Sequence, residues 1–332
     1  MKKVGNRCLD VFLELSYFSK NDFDMNKPQI TIKDIGRALN ISPSTVSRAL
    51  KNHPDISQST KDSVNKYASW VPGFLGGESE HVIGKWMRKR ANRRRMFITS
   101  KVGFPYNKIP RSLKKELVIS ECEKSLKRFE VDYIDLYFAH AYDVETTHEE
   151  VMEAFLSLKK AGKIRFAGAS NYFAWQLAEA NIAAHHLGWE GFCCIQQRHT
   201  YLEPNLRADF GTQLLLTPEM QDYCTASGIT IMAYSPLLNG AYIREDRPLT
   251  SHYQSYNTNV KLALLKKVSN TLGISPNAVV LAWMIQNKPQ VIPLVTGSTQ
   301  AQLDENLQAL SVQLTEEQLN KLNQLIVTPD KY

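Results

Sequence analysis

Tyr133-Ile134-Asp135-Leu136-Tyr137-Phe138-Ala139-His140 is an apolar run that closes on a histidine, and Ile164-Arg165-Phe166-Ala167-Gly168-Ala169-Ser170-Asn171 repeats the plan with a polar pair at its end. Similar runs occupy residues 97–102, 192–195, 229–233 and 291–295, with amphipathic segments between them. Six such runs with helical crossovers predict a parallel sheet covered on both faces. Their carboxyl ends read Ser100-Lys101, His140, Ser170-Asn171, Gln196-Gln197, Tyr234-Ser235 and Thr296-Gly297-Ser298. Polar groups at every strand end suit a (β/α) barrel, which assembles its site from many strands, better than a doubly wound sheet with one switch point. No G-x-G-x-x-G follows any run, so the dinucleotide fingerprint of that second architecture is missing.

The chain has 332 residues, enough for one barrel-sized domain plus a small module. With 43% hydrophobic and 22% charged residues it is neither collagen-like nor disordered, and no stretch approaches the ~18 uninterrupted apolar residues of a membrane span. The net charge of +7 is uneven: residues 1–100 hold 18 Lys and Arg against 9 Asp and Glu, while the remainder holds 22 against 24. This asymmetry suggests an N-terminal part that meets a polyanion, although a solvated basic face explains the charge equally well. Five cysteines without C-x-x-C spacing read as reduced core thiols, and no His, Cys or acidic spacing suggests a metal. Residues 1–24 form a lead whose apolar stretch, broken by Asp10 and Glu14, lacks a small-residue cleavage site, so a cytoplasmic protein is expected; Met25 is an alternative start.

Between 25 and 68 the pattern is helical in short pieces. Ile35, Ala38 and Leu39 give one apolar face, Asn40-Ile41 a turn, and Ser42-Pro43 a cap and first helical position. Val46, Ala49 and Leu50 repeat the spacing on a second helix, and Ser57 caps a third that offers Thr60, Val64 and Tyr67. Two short, tightly joined helices predict a small all-α helix-turn-helix module. The run Ile30-Thr31-Ile32-Lys33-Asp34-Ile35 through Ser44-Thr45-Val46-Ser47-Arg48-Ala49-Leu50 resembles the DNA-binding headpiece of lac-repressor-type regulators. The resemblance implies base-reading positions at Pro43, Ser44 and Arg48, and phosphate contacts at Thr45, Ser47 and Thr60. The hinge helix and dimerising ligand domain of those regulators do not follow, and a lone headpiece neutralises too few phosphates for tight binding.

Lys101 and His140 carry the chemical argument. A lysine ending a buried strand is costly unless paired, and a neutral imidazole at a strand end can donate or accept a hydrogen bond. Residues 69–332 resemble an aldo-keto reductase, on Ile98-Thr99-Ser100-Lys101, Tyr133 through His140, Gly162-Lys163-Ile164-Arg165 into Gly168-Ala169-Ser170-Asn171, Ala233-Tyr234-Ser235-Pro236-Leu237, and Gln302-Leu303-Asp304-Glu305-Asn306. The resemblance implies hydride transfer between NADP(H), with NAD(H) as the alternative, and a small carbonyl substrate. It makes Lys101 the lysine that lowers the pKa of a catalytic tyrosine and His140 the group that orients the carbonyl. Ser170, Asn171 and Gln196 would bond the nicotinamide carboxamide, Tyr234 would stack on its face, and Glu305 and Asn306 would meet adenine. Ser235, Leu237, Gly297, Ser298 and Gln302 would line the rest of the cofactor. Thr296, Ser298 and Gln302 stand where many members carry Lys or Arg for the 2′-phosphate, which weakens the preference for NADPH.

The family's first two barrel strands have no counterpart before Phe97, so an incomplete TIM-type barrel behind the helical module is expected. The second of those strands ends in an aspartate followed, five residues on, by the proton-donating tyrosine. Asp62 and Tyr67 have that spacing. If 57–68 is a headpiece helix, Tyr67 is a core ring and Asp62 a solvated carboxylate; if it is a strand, the two complete the catalytic set, and Thr60 through Lys66 favour the helix. The leading expectation is an impaired reductase with a DNA-binding headpiece. The alternative is a transcriptional regulator whose barrel binds a nucleotide or small ligand, with DNA as partner.

Overall fold

A computed structural model describes residues 39, 41–50, 53–61, 77–105, 111–205, 207–297 and 299–324. Asp62, Tyr67, Ser298, the lead at 1–24, and Ile35 and Ala38 of the first short helix lie outside them. Six parallel strands form one sheet in chain order: β1 (Thr99–Val102), β2 (Ile134–Ala139), β3 (Ile164–Ser170), β4 (Phe192–Arg198), β5 (Thr230–Tyr234) and β6 (Val291–Pro293). The α/β class and the six strands follow the apolar runs of the sequence, with shifted ends. β4 continues through Gln196 and Gln197 to Arg198, and β6 stops at Pro293, which leaves Thr296 and Gly297 in the loop beyond. Among the described residues no strand pairs with the outer edge of β1 or of β6.

Alternation along the strands divides the sheet into two faces. Leu136, Phe138, Cys194, Met232 and Ile292 pack together on the inner face, flanked by Phe97, Phe166 and Leu294. The other face joins the main core beneath the helices. Lys101 is in register with Phe138 and Ser100 with Tyr137, so Lys101 belongs to the inner face and Ser100 to the helix side. Gly168 is fixed by the inner packing. A Cβ there would lie 2.6 Å from the Phe138 ring and 3.0 Å from the Cys194 carbonyl.

Crossover helices supply the outer layer. On α3 (Lys115–Phe129) the buried positions Val118, Cys122, Ser125, Leu126 and Phe129 recur at helical spacing and face the core. Before it, α2 (Glu78–Arg90) approaches so closely that a Cβ on Gly84 would sit 2.4 Å from the Phe129 carbonyl oxygen. α4 (His148–Lys160), α5 (Ala174–His186) and α6 (Pro218–Ser227) follow β2, β3 and β4. Between β5 and β6 come α7 (Tyr256–Leu272) and α8 (Pro276–Gln286), and α9 (Gln300–Gln308) and α10 (Glu316–Asn323) follow β6. Threonine or serine N-caps at Thr147, Thr217, Ser275, Thr299 and Thr315 start α4, α6, α8, α9 and α10. No single helix among the described residues is long and apolar enough to cross a membrane.

The basic run at 93–95 divides in a way its composition conceals. Arg93 is largely buried: it donates to the carbonyls of Met96 (2.8 Å) and Tyr133 (2.7 Å) and pairs with Asp135 at 2.8 Å. It shares the Tyr133 ring with Arg165, at 4.0 and 3.9 Å from the centroid. Asp135 also accepts from the Ile98 amide and from Arg165, which ties the amino-terminal ends of β1, β2 and β3 together. Arg93 is therefore a structural clamp rather than a member of a solvated cluster.

In the N-terminal part, α1 (Pro43–Leu50) begins where Ser42 accepts a hydrogen bond from the Thr45 amide at 3.0 Å. Val46, Ala49 and Ile56 form a small core with Leu39 and Ile41. Residues 58–61 are helical, and Ser57 accepts from the Thr60 amide at 3.2 Å.

Candidate active site

The carboxyl-terminal ends of β3, β4 and β5 converge on one asparagine. Asn171 follows β3 with φ +57°, a left-handed conformation that asparagine tolerates better than most side chains. Its Nδ2 donates to the His140 carbonyl (2.9 Å) and to Ser170 Oγ (3.2 Å). Its Oδ1 accepts from Tyr234 OH (2.7 Å) and from the Leu214 amide (3.0 Å). Both hydrogens and both acceptor positions of the amide are thus engaged. Ser170 donates in turn to the Gln196 carbonyl at 2.8 Å. Gln197 accepts from the Asn171 amide (2.8 Å) and donates to the Tyr172 carbonyl (2.6 Å).

Gln196 lies at the centre of this network and behaves differently. Its residue is 1% exposed and pairs with Ser170 across the β3–β4 ladder, yet its Oε1 is buried without a partner. An orphaned buried carbonyl costs about 1–3 kcal/mol, and a donor from a bound molecule would remove that cost. The Glu305 Oε1 on α9 is likewise buried and unpartnered. Asn306 beside it donates to the Thr296 carbonyl at 3.3 Å, which fastens α9 to the loop after β6. After β5 the chain turns through Ser235, Leu238 and Asn239, all at positive φ, with Leu237 between them. Three such residues in one loop concentrate backbone strain at this end of the sheet.

Lys101 and His140 stand at the β1–β2 end of the same inner face. Burial lowers the Lys101 pKa to about 8, and among the described residues no carboxylate pairs with it. Burial, and secondarily the Lys101 charge, hold His140 near 4, so its imidazole is neutral at physiological pH. The Phe104 ring lies 4.8 Å from the His140 ring. A cavity of about 570 Å³ opens here, bordered by Lys101, Phe104 and His140 and, around the edge of β1, by Glu80 and Arg128. Glu80 accepts from Ser100 Oγ at 2.5 Å and forms an ion pair with Arg128.

The structure therefore gathers Ser170, Asn171, Gln196 and Tyr234 into one network, sets Lys101 and His140 together at the cavity, and places Glu305 and Asn306 on α9. Gly297 packs against Leu303, and Gln302 has its amide capped by Thr299. Sequence reasoning left Gln197 without a role and overlooked the Glu80–Arg128 pair. Adjacency to Gln196 and the Gly76-Gly77-Glu78-Ser79-Glu80 run were the available signals. At the N-terminus, Pro43, Ser44 and Arg48 are exposed, while Thr45, Ser47 and Thr60 are half-buried. The hydroxyls of Ser44 and Thr45 lie 2.8 Å from Ser42 Oγ, and that of Thr60 lies 2.8 Å from Ser57 Oγ.

A family model described as the aldo/keto reductase family matches residues 33–327. The chain belongs to the aldo/keto reductase family. The match begins at residue 33 rather than near 69, so it also spans the segment whose sequence resembles a regulator's headpiece. This aldo/keto reductase chain is 28% identical over 267 residues to norsolorinic acid reductase of Emericella nidulans, covering 76% of this chain and 66% of that protein. It is 27% identical over 263 residues to an aryl-alcohol dehydrogenase of Pestalotiopsis microspora, covering 75% and 66%. The chain spans slightly under two thirds of both relatives' length. An aldo-keto reductase of Schizosaccharomyces pombe named for NADP(+) is 26% identical over 267 residues, with 75% and 74% covered. A thermostable aldo-keto reductase solved with the inhibitor epalrestat superposes with a TM-score of 0.58 at 29% identity, covering 75% of this chain and 77% of its own.

Proposed function

We propose that the chain is an NADP(H)-binding oxidoreductase, with NAD(H) as the alternative, acting on small carbonyl compounds. The observation that carries this reading is the buried network around Gln196, whose unpartnered Oε1 fits a carboxamide N–H. Asn171, with every hydrogen-bonding position engaged, holds the network and fixes the Tyr234 phenol, leaving that ring to cover the nicotinamide. Glu305 Oε1 would accept from the adenine amine, and Ser235, Leu237 and Gly297 would line the stretch between. Thr296 and Gln302 bring no positive charge to a 2′-phosphate, so discrimination between the two nucleotides should be slight.

The bound nucleotide would supply the hydride. His140, neutral at physiological pH, would hold the carbonyl oxygen by a hydrogen bond, and the Lys101 ammonium would support the negative charge that develops there. Phe104 packs against the His140 ring and would border the carbonyl compound on that side. If residues 57–68 form a strand and not a headpiece helix, Tyr67 is the proton donor and Asp62 the carboxylate that pairs with Lys101. Absorbance at 340 nm with a panel of aldehydes tests the reading. Carbonyl-dependent oxidation should appear with the wild type and fall at least tenfold in Lys101→Met; oxidation equal to that variant contradicts it.

A second activity is proposed for the N-terminal part, from the capped helix α1 with Ser44 and Arg48 exposed on one side. It is a helix-turn-helix DNA-binding headpiece, with Pro43, Ser44 and Arg48 reading bases and Thr45, Ser47 and Thr60 meeting phosphates. A gel-shift titration at low salt should weaken on Arg48→Ala, and indifference to that change ends the proposal.

A further inference from the structure

Residues 85–95 hold seven Lys and Arg and no Asp or Glu. The fold turns one of them inward and the rest outward. Arg93 is fixed by the carbonyls of Met96 and Tyr133 and by Asp135, which pins the turn Arg93–Arg95 to the amino-terminal ends of β1 and β2. Around it Lys85, Arg88, Lys89, Arg90, Arg94 and Arg95 are exposed. Arg88 stays 70% exposed while it pairs with Glu130 at 2.8 Å. Helix energetics account for only part of this cluster. Arg88, Lys89 and Arg90 fill the last turn of α2, where cations suit the negative end of the helix dipole. Arg94 and Arg95 lie beyond the cap at Ala91, outside the reach of that effect, on a turn held rigid by their buried neighbour. The apolar side chains within the basic stretch, Trp86 and Met87, pack on the main core and are not offered to a lipid surface; the exposed Val82 and Ile83 precede it. Cations on a rigid support suit a dense array of phosphodiesters, and duplex DNA carries one charge per about 1.7 Å of its axis.

We infer that the basic surface formed by the carboxyl-terminal half of α2 and the turn Arg93–Arg95 is a docking site for the phosphate backbone of duplex DNA. It meets phosphates and reads no bases. The choice of a duplex rests on the DNA-binding reading of the N-terminal part, whereas the surface itself is carried by the six-stranded body. It lies at the amino-terminal ends of the strands, and Gln196, Tyr234 and Lys101 lie towards the carboxyl-terminal ends. DNA and nucleotide therefore bind at opposite ends of the sheet and do not compete.

The test is a titration of a short fluorescent duplex with the full chain, followed by anisotropy between about 50 and 200 mM salt. The wild-type chain should bind with a steep salt dependence. Lys85→Ala, Lys89→Ala and Arg94→Ala combined should lower the slope of log K against log salt by about 2–3 and weaken binding at least tenfold at the lower salt. Lys266→Ala, Lys267→Ala and Lys288→Ala remove the same charge from exposed positions elsewhere and should leave the slope unchanged. Saturating NADPH should not displace the duplex. Arg48→Ala separates this surface from the headpiece: a chain indifferent to that change but weakened by the first triple substitution loses the headpiece and keeps the surface. No binding by the wild-type chain, displacement by NADPH, tighter binding of a single-stranded RNA of the same length, or an equal loss of slope in both triple variants overturns the inference. The first three of these outcomes are read on the wild-type chain alone.

Discussion

Between β3 and β5 the carboxyl-terminal end of the sheet is a closed set of hydrogen bonds, whereas between β1 and β2 the same face carries a lysine and an imidazole beside open space. On the first side Ser170, Asn171, Gln197 and Tyr234 satisfy one another, and one acceptor, Gln196 Oε1, is left over. On the second side Lys101 bears the cost of burial, and among the described residues no carboxylate offsets it. The difference separates two tasks. Holding a planar amide requires donors and acceptors fixed before the ligand arrives, while reacting with a carbonyl requires groups whose protonation is poised to change.

Removal of one polar side chain from each side should therefore act with opposite sign. Asn171→Ala breaks four side-chain hydrogen bonds and leaves the left-handed backbone to an alanine. The expected loss, read from urea unfolding, is about 3–4 kcal/mol. Lys101→Met replaces a largely buried amine, which no carboxylate among the described residues compensates, by an apolar chain of similar length. It should stabilise the fold at pH 7 by about 1–2 kcal/mol, after allowance for the partial exposure of the group, while removing carbonyl-dependent turnover. A destabilised Lys101→Met would mean that the two sides are alike after all.

A smaller effect should appear on acidification. His140 and His199 both titrate near 4 when folded, through burial first and then the charges of Lys101 and Lys261 respectively, against about 6.5 unfolded. The unfolded chain takes up these protons first, so stability falls as pH drops from about 6.5 towards 4. His199, stacked on Trp283 at 5.5 Å, lies away from the cavity, so His199→Gln should flatten part of this limb without touching carbonyl-dependent turnover. Lys101 acts at the other end of the scale. Its folded pKa lies below its unfolded one, so stability rises as pH climbs from about 8 towards 10.5.

The sheet was legible because buried parallel strands leave near-continuous apolar runs, and Tyr133 to Ala139 or Ile164 to Ala169 have no other economical reading. The strand-end residues were legible as chemically useful groups for the same reason. Their wiring was not. Tyr234 and Asn171 stand 63 positions apart, Leu214 and Asn171 43, and Glu80 and Arg128 48, and no local pattern encodes such pairs. The amide that orders the β3–β4 end is Gln197, while its neighbour Gln196 is left with the free acceptor; alternation along β4 assigns them to opposite faces, a distinction that requires the register. The arginine run at 93–95 shows the same limit. Arg93 and Arg94 are adjacent in sequence, but only tertiary contact with Tyr133 and Asp135 makes the first a clamp.

The central claim is that the β3–β5 end is already built to receive a nicotinamide amide at Gln196. Thermal unfolding with and without saturating NADPH, and separately NADH, tests it directly when wild type and Gln196→Leu are run together. A ligand at about 100 times its Kd adds about 2.7 kcal/mol to the folded state. The account predicts that nucleotide raises the wild-type midpoint and leaves Gln196→Leu where it is, although the variant without ligand is as stable as the wild type or more so. A wild-type midpoint indifferent to both nucleotides, or a shift that survives Gln196→Leu undiminished, would contradict it.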